Sequence, residues 1–181
     1  MTSPSAAARS VMEFANSVDV EAGTDELASP DALGQWLHRS GLAPAPCAVT
    51  AQDHAQAVRL RTAVRDLLDA DGPRVPTEAD ADAALWQLPL RVSLAALRPG
   101  ATGGVLVADR GLAPVRAALA ELAAALATVL VTGEVARVKR CHAHDCAWVF
   151  WDSSKNRSRR WCSMRVCGNR AKARRYAARQ R

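Results

Sequence analysis

Apolar positions recur at helical spacing through most of the first 135 residues. In residues 5–16, Val11, Phe14 and Ala15 fall on one side, which predicts a first helix ending near residue 16. A second helix is predicted after the cap Ser29, with Pro30 in its first turn and Gly41 closing it. Its predicted apolar face comprises Leu33, Trp36 and Leu37.

The next predicted helix covers residues 53–70. Its apolar stripe comprises Ala57, Leu60, Val64, Leu67 and Leu68. Three arginines, Arg59, Arg61 and Arg65, lie outside this stripe. Gly72 and Pro73 then break the pattern.

The remainder of the body is predicted to contain both helix and strand. A short helix is predicted over residues 77–88, and alternating or continuous apolar runs at 91–95 and 104–108 predict a β-hairpin. A long apolar helix follows from Pro114 to Val131, ended by Gly133. Arg116 and Glu121 interrupt the longest apolar run, so we interpret it as a buried helix rather than a membrane span.

Charge divides the chain near residue 135. Residues 137–181 hold fourteen Lys and Arg against two acidic residues, a net charge of +12, whereas residues 1–136 hold ten against sixteen, a net charge of −6. Such asymmetry is typical of a polyanion-binding segment attached to a second domain. We therefore predict a domain over residues 1–135 and a small module over 136–181. Residues 1–8 have no export signal, which favours a cytoplasmic protein.

Four cysteines form two evenly spaced pairs in the basic module. Cys141 and Cys146 are separated by four residues, as are Cys162 and Cys167, and this pattern predicts one structural Zn²⁺ held by four thiolates. His142 or His144 could replace one sulfur. Cys47, in a loop-like segment, is interpreted as an incidental thiol because no basic partner adjoins it in sequence. The predicted fold class is α+β: a mostly helical domain with a short hairpin, then a zinc-stabilised module ending in a basic helix.

About 45 residues cannot bury enough apolar surface to fold without a metal or a similar constraint. The aromatic side chains available for a small core around the zinc are Trp148, Phe150, Trp151 and Trp161. The alternative is that they stack on the bases of a single strand. We favour packing around the metal, because the module has few other residues with which to fill a core.

The last twenty residues predict a basic helix. One narrow seam of this helix would hold Met164, Cys167, Ala171 and Ala178. Basic residues flank the seam on both sides: Arg165, Lys172, Arg175 and Arg179 on one, and Arg170, Arg174 and Arg181 on the other. Such a helix could lie against the zinc module and direct its charges to two phosphate strands. The candidate nucleic-acid contacts are Lys155, Arg157, Arg159, Arg160, Arg165, Arg170, Lys172, Arg174, Arg175 and Arg179.

The run from Arg159 to Met164 and the run from Cys167 to Lys172 resemble the CGNR zinc finger, whose four naming residues stand here at 167–170. The resemblance implies that Cys141, Cys146, Cys162 and Cys167 bind zinc and that the module binds DNA. Within the motif we expect Gly168 to allow a close approach or a left-handed turn, Asn169 to cap the next helix, and Arg170 to contact a phosphate or a carbonyl.

Upstream, the run from Glu13 to Asp19 and the helix around Trp36 and Leu37 resemble the ABATE domain, which precedes this finger in bacterial stress-induced transcription regulators. The resemblance implies a body that senses a signal or binds a ligand. The leading hypothesis is a cytoplasmic transcription regulator that binds duplex DNA and is not an enzyme. An RNA or single-strand binder is the alternative, and an enzyme with an accessory finger is the third. A small-molecule effector and a homodimer remain open.

Overall fold

A computed structural model describes residues 3–43, 47–68, 111–143 and 145–180. These residues form five α-helices and two small antiparallel hairpins. The predicted helix at 77–88 and the predicted hairpin at 91–108 lie outside the described residues. The fold is a mostly helical N-terminal part followed by a cysteine cluster and a final helix, which confirms the predicted class.

Helix α1 (Ala6–Ala15) and helix α2 (Pro30–Arg39) confirm the first two predicted helices. Ser5 and Ser29 cap them, since each hydroxyl accepts a hydrogen bond from the backbone N–H three residues later. Phe14 and Trp36 meet in the core with ring centroids 5.6 Å apart. Gly41 has φ of +70°, the left-handed conformation that ends the segment after α2.

Helix α3 (Ala51–Leu67) begins two residues before the predicted start, because Thr50 and Asp53 form a capping box. Its apolar stripe is buried as expected. Arg61 and Arg65, which lie outside that stripe, are nevertheless buried, at 5% and 7% exposed. Burial of these two cations requires polar partners within the fold.

Both buried arginines have such partners. The guanidinium of Arg61 donates to the two carboxylate oxygens of Asp25 at 2.6 and 2.7 Å and to the Ser17 hydroxyl at 3.1 Å. The hydrogen bond from Arg61 is the main cause that holds the pKa of Asp25 below its usual value. Arg65 donates to the carbonyl oxygens of Ala15 and Ala147. The two arginines thus join α3 to distant segments.

Helix α4 (Pro114–Val131) lies at the centre of the main core. Nine of its residues are buried, and it packs against α1, α2 and α3. By length and composition alone it could cross a membrane, but here its apolar side chains meet those of the neighbouring helices. Gly133, with φ of +76°, ends the helix as predicted.

The described hairpins lie at two other places. Strand β1 (Val18–Asp19) pairs with β2 (Thr24–Asp25), and β3 (Val138–Arg140) pairs with β4 (Val149–Trp151). Val138 and Val149 of the second hairpin belong to the main core, so the hairpin that leads into the cysteine cluster also packs on the helical part. The division at residue 135 stays a prediction.

Candidate metal centre and basic helix

The four cysteine sulfurs of the C-terminal segment lie within 4.8 Å of one another. Cys141 follows β3, Cys146 stands in the turn before β4, Cys162 follows a long loop, and Cys167 lies in a π-helical turn over Met164–Gly168. All five cysteines of the chain are described and none forms a disulfide. The cluster could therefore hold one metal ion.

The spacing and chemistry of this cluster fit zinc. The Cys162 sulfur lies 3.6 Å from the sulfurs of both Cys146 and Cys167. Tetrahedral Zn²⁺ with Zn–S bonds of about 2.3 Å sets its ligand sulfurs about 3.8 Å apart. The two separations of 3.6 Å are close to that value. Cys141, Cys146 and Cys167 are buried, which suits a closed structural site.

Burial favours the neutral form of two of these thiols, so the thiolates that zinc needs would form together with metal binding. Burial and a neighbouring thiol group raise the pKa of Cys146 to about 11, and burial also raises the pKa of Cys162. Burial would raise the pKa of Cys141 as well, but hydrogen bonds from the backbone of Ala143 and of Cys162 lower it. Four adjacent thiolates repel one another, and Zn²⁺ removes that repulsion when it binds.

A buried carboxylate organises the long loop before Cys162. Asp152 is 0% exposed, and its oxygens accept hydrogen bonds from Lys139 Nζ, from the Ser154 hydroxyl and amide, and from the Arg159 amide. Lys139 also donates to the Arg157 carbonyl. Burial alone would raise the pKa of Asp152, yet these donors hold it well below the usual range. Asp152 thereby fixes the loop that carries Arg157 and Arg159.

Helix α5 (Asn169–Arg179) follows the π-helical turn. The prediction of one continuous helix seam from Met164 to Ala178 is wrong, because the π-helical turn changes the phase of the backbone after Met164. Met164 is 52% exposed, and none of the α5 residues is buried. Arg170 and Ala171 are partly buried and the other α5 residues are exposed, so the helix does not pack on the module along the predicted seam.

Comparison with known families agrees with this geometry. Residues 8–134 match the ABATE family, described as "Putative stress-induced transcription regulator", over more than half of the chain. The chain belongs to this family. Residues 137–180 match the CGNR zinc finger, so both resemblances are confirmed in the predicted order. No curated protein matches the chain. The ABATE description names a regulator rather than an enzyme.

The four aromatic side chains predicted to surround the metal lie in three different places. Phe150 packs within the cysteine cluster and Trp161 lies partly buried against it, whereas Trp151 packs on the core of the ABATE body. Trp148 is 39% exposed. The predicted aromatic core around the metal site thus describes the placement of Phe150 and Trp161 but not that of Trp148 or Trp151.

Two expectations for the CGNR residues change. Gly168 has φ of −65°, so it makes no left-handed turn. A Cβ there would lie 2.6 Å from the Met164 sulfur and 3.2 Å from Trp161, which shows that close packing is the reason for a glycine. Asn169 does not cap α5. It is the first helical residue, and its side chain donates to the Arg165 carbonyl.

Arg170 of the CGNR motif contacts carboxylates instead of a carbonyl. Its Nη2 lies 2.9 Å from both carboxylate oxygens of Glu21, in the turn between β1 and β2 of the ABATE body. Its Nη1 donates to Asp145 at 3.1 Å, and Arg174 donates to the same Asp145 oxygen at 2.6 Å. The hydrogen bond to Glu21 is the main cause that raises the pKa of Arg170.

The other predicted basic residues differ in how far they are engaged. Arg159 donates to the Cys162 carbonyl and lies over the Phe150 ring, so it packs against the finger. Arg160 lies near Trp161 and His142. Among the candidate contacts, the exposed residues that form no ion pair within the described part of the chain are Lys155, Arg157, Arg160, Arg165, Lys172, Arg175 and Arg179. His144 lies outside the described residues.

Asp145 and Asp152 were not predicted as functional residues, although they are the only acidic residues in the finger. Asp145 accepts hydrogen bonds from the side chains of Arg170 and Arg174, and Asp152 accepts one from Lys139. Two isolated acids in a segment with fourteen cations are themselves a signal of structural ion pairs, because a solvated basic surface does not need acidic residues. Glu21 gave no comparable signal, because it stands 149 residues from its partner.

Proposed function

We propose that this chain is a transcription regulator whose C-terminal finger binds duplex DNA in the cytoplasm. Cys141, Cys146, Cys162 and Cys167 hold one structural zinc ion, which fixes the turn from which α5 starts. The observation that carries the proposal is the exposure of α5: an unburied helix with five Lys and Arg stands on a site suited to zinc. An exposed basic helix of this kind fits a groove bordered by phosphates.

The proposed contacts fall into two groups. Free cations on and before α5, namely Arg165, Lys172, Arg175 and Arg179, meet DNA directly, joined by the loop cations Lys155, Arg157 and Arg160. Arg159, Arg170 and Arg174 already have partners within the fold. They hold the finger in shape, and any phosphate contact they make must compete with those partners. Affinity therefore arises mainly from the first group.

The test is fluorescence anisotropy of a labelled duplex over a range of salt concentrations. Substitution of Lys172, Arg175 and Arg179 by alanine should weaken binding and flatten the dependence of log K on log salt by ~0.9 for each phosphate that the variant no longer binds. The matched control removes three cations from the body, Arg9, Arg59 and Arg116. Equal weakening in both variants, or a wild type without salt dependence, would refute the proposal.

Binding to single strands or RNA is the second candidate, and the partial exposure of Trp148 favours it. However, Trp148 lines a cleft shared with the ABATE body rather than the surface around α5. Single strands that quench tryptophan fluorescence and outcompete duplex would support this alternative. Absence of the quenching in Trp148→Phe would identify the side chain responsible.

We assign the sensing role to the cleft that Trp148 shares with the body. It has a volume of about 560 Å³ and is lined by α1, α2 and the start of β4, including Glu13, Trp36 and Arg39. This size is usual for small-molecule sites. A compound that stabilises the wild type in thermal unfolding but not Glu13→Ala or Arg39→Ala would support an effector there.

A homodimer would present two fingers to paired half-sites, and sedimentation equilibrium of the free protein tests it.

A further inference from the structure

The carboxylate of Glu21 binds the guanidinium of Arg170 in the way that a phosphate group would. Its two carboxylate oxygens lie 2.9 Å from the same nitrogen of Arg170. Carboxylates and phosphates both present paired oxygens to a guanidinium, and both form charge-assisted hydrogen bonds with it. The ABATE body therefore supplies to the finger the kind of group that DNA would supply.

The remaining donors of Arg170 leave little room for a second anion. Nη1 is bound to Asp145, and Nε is buried and has no hydrogen-bond partner in the structure. A phosphate that reaches this guanidinium must displace Glu21. Displacement is feasible, because the side chains of Arg170 and Glu21 are 32% and 51% exposed. Surface ion pairs of this kind are weak enough to exchange.

The turn that carries Glu21 is fixed to the body. Asp19 Oδ1 accepts hydrogen bonds from the backbone N–H groups of Glu21 and Ala22, which hold the turn in shape. At the far end of the hairpin, Asp25 is paired with the buried Arg61 of α3. The position of Glu21 thus depends on the packing of the helical core, and a change in the core can move it.

We propose that Glu21 is an intramolecular phosphate mimic that competes with DNA for Arg170. This inference rests on the proposed binding of duplex DNA by the finger. The body lowers the affinity of the finger while the ion pair is closed, and DNA binding opens it. A signal that shifts the β1–β2 hairpin away from α5 would raise affinity without any change in the finger itself.

The experiment compares Glu21→Gln with Glu26→Gln in the full-length, zinc-loaded protein. Glu26 is a matched control, because it loses the same charge and a 2.8 Å ion pair to Arg39 on the body. We expect Glu21→Gln to bind a labelled duplex two- to fivefold more tightly than Glu26→Gln at low salt, about the strength of one exposed ion pair.

A second measurement reports the ion pair without DNA. Phenylglyoxal modification, mapped by mass spectrometry, should increase at Arg170 in Glu21→Gln but not in Glu26→Gln. Equal affinities of the two variants, or weaker binding by Glu21→Gln, would overturn the competition while leaving DNA binding intact. Absence of duplex binding in all three proteins would instead refute the proposed function and the competition with it, and the modification result would still show whether Glu21 covers Arg170.

Discussion

Asn16 and Val149 are joined by two hydrogen bonds of 2.8 Å that connect the ABATE body to the CGNR finger. The side-chain amide of Asn16 donates to the Val149 carbonyl and its oxygen accepts from the Val149 N–H. Asn16 stands at the end of α1, and Val149 begins β4. One side chain thus satisfies both backbone groups of a residue in the hairpin that leads to the metal site.

We expect Asn16→Ala to lower the free energy of unfolding by about 1–3 kcal/mol, because it leaves two partly buried backbone groups without partners. Asn16→Asp should also destabilise the fold, because a carboxylate oxygen would replace the donor and face the Val149 carbonyl. Urea unfolding followed by circular dichroism measures both. Asn169→Ala is the control, since that exposed amide makes one bond within its own turn. Equal unfolding midpoints for Asn16→Ala and Asn169→Ala would contradict the prediction.

Arg65 forms a second connection between body and finger. Its guanidinium donates to Ala15 at 2.6 Å and to Ala147 at 3.1 Å, and burial lowers its pKa. Arg65→Ala should destabilise the fold by about 3 kcal/mol, because two buried carbonyls lose charged donors and a cavity forms. Arg59→Ala, exposed on the same helix, should change stability by less than about 0.5 kcal/mol. Similar thermal unfolding of the two variants would contradict this account.

Local pattern predicted the helices well. Ser29 and Gly133 mark helix ends in the sequence and in the structure, because capping depends on neighbours within a few residues. The paired cysteines likewise predicted a cluster of sulfurs that is present in the fold. Here short-range chemistry determines the arrangement, so a single sequence carries the information.

Long-range pairing was beyond the sequence. Arg61 is placed among polar residues by pattern, yet it is buried because Asp25, 36 positions away, neutralises it. Arg170 was expected to be available for phosphate, but Glu21 reaches it across 149 positions. Periodicity describes which face a residue occupies and not which distant charge meets it. The π-helical turn before α5 is likewise not specified by the spacing of the cysteines.

The buried carboxylate of Asp152 predicts a dependence of stability on pH. Its folded-state pKa lies below the ordinary value of 3.8, so it contributes stability above that value, and the contribution is lost as the pH falls below 3.8 toward the folded pKa. Asp152→Asn should cost about 3 kcal/mol at neutral pH, since Lys139 loses its buried partner. The difference between wild type and variant should then shrink on acidification.

Unfolding measured at a series of pH values tests this prediction. Asp66→Asn provides the control, because Asp66 is 68% exposed and its ion pair to Arg140 is 3.6 Å long. That variant should change stability by less than about 1 kcal/mol. The free energy of unfolding of the wild type and of Asp152→Asn could instead differ by a constant amount from neutral pH down to about pH 3. That result would show that the carboxylate charge has no part in the stability.

Removal of one cysteine ligand should unfold the finger and leave the body folded. Metal analysis should give one zinc per chain for the wild type and much less for Cys162→Ser, whereas Cys47→Ser should retain the ion. Structural zinc contributes on the order of 10 kcal/mol to small fingers, so Cys162→Ser should unfold the segment around α5 and abolish duplex binding.

Helices α1 to α4 should persist, because their core is built from apolar contacts that do not involve the cysteine cluster. Hydrogen exchange resolved by peptide would then show fast exchange from residue 141 onward and protection in α4. Full protection of the finger in a zinc-free protein would disprove the role assigned to the metal.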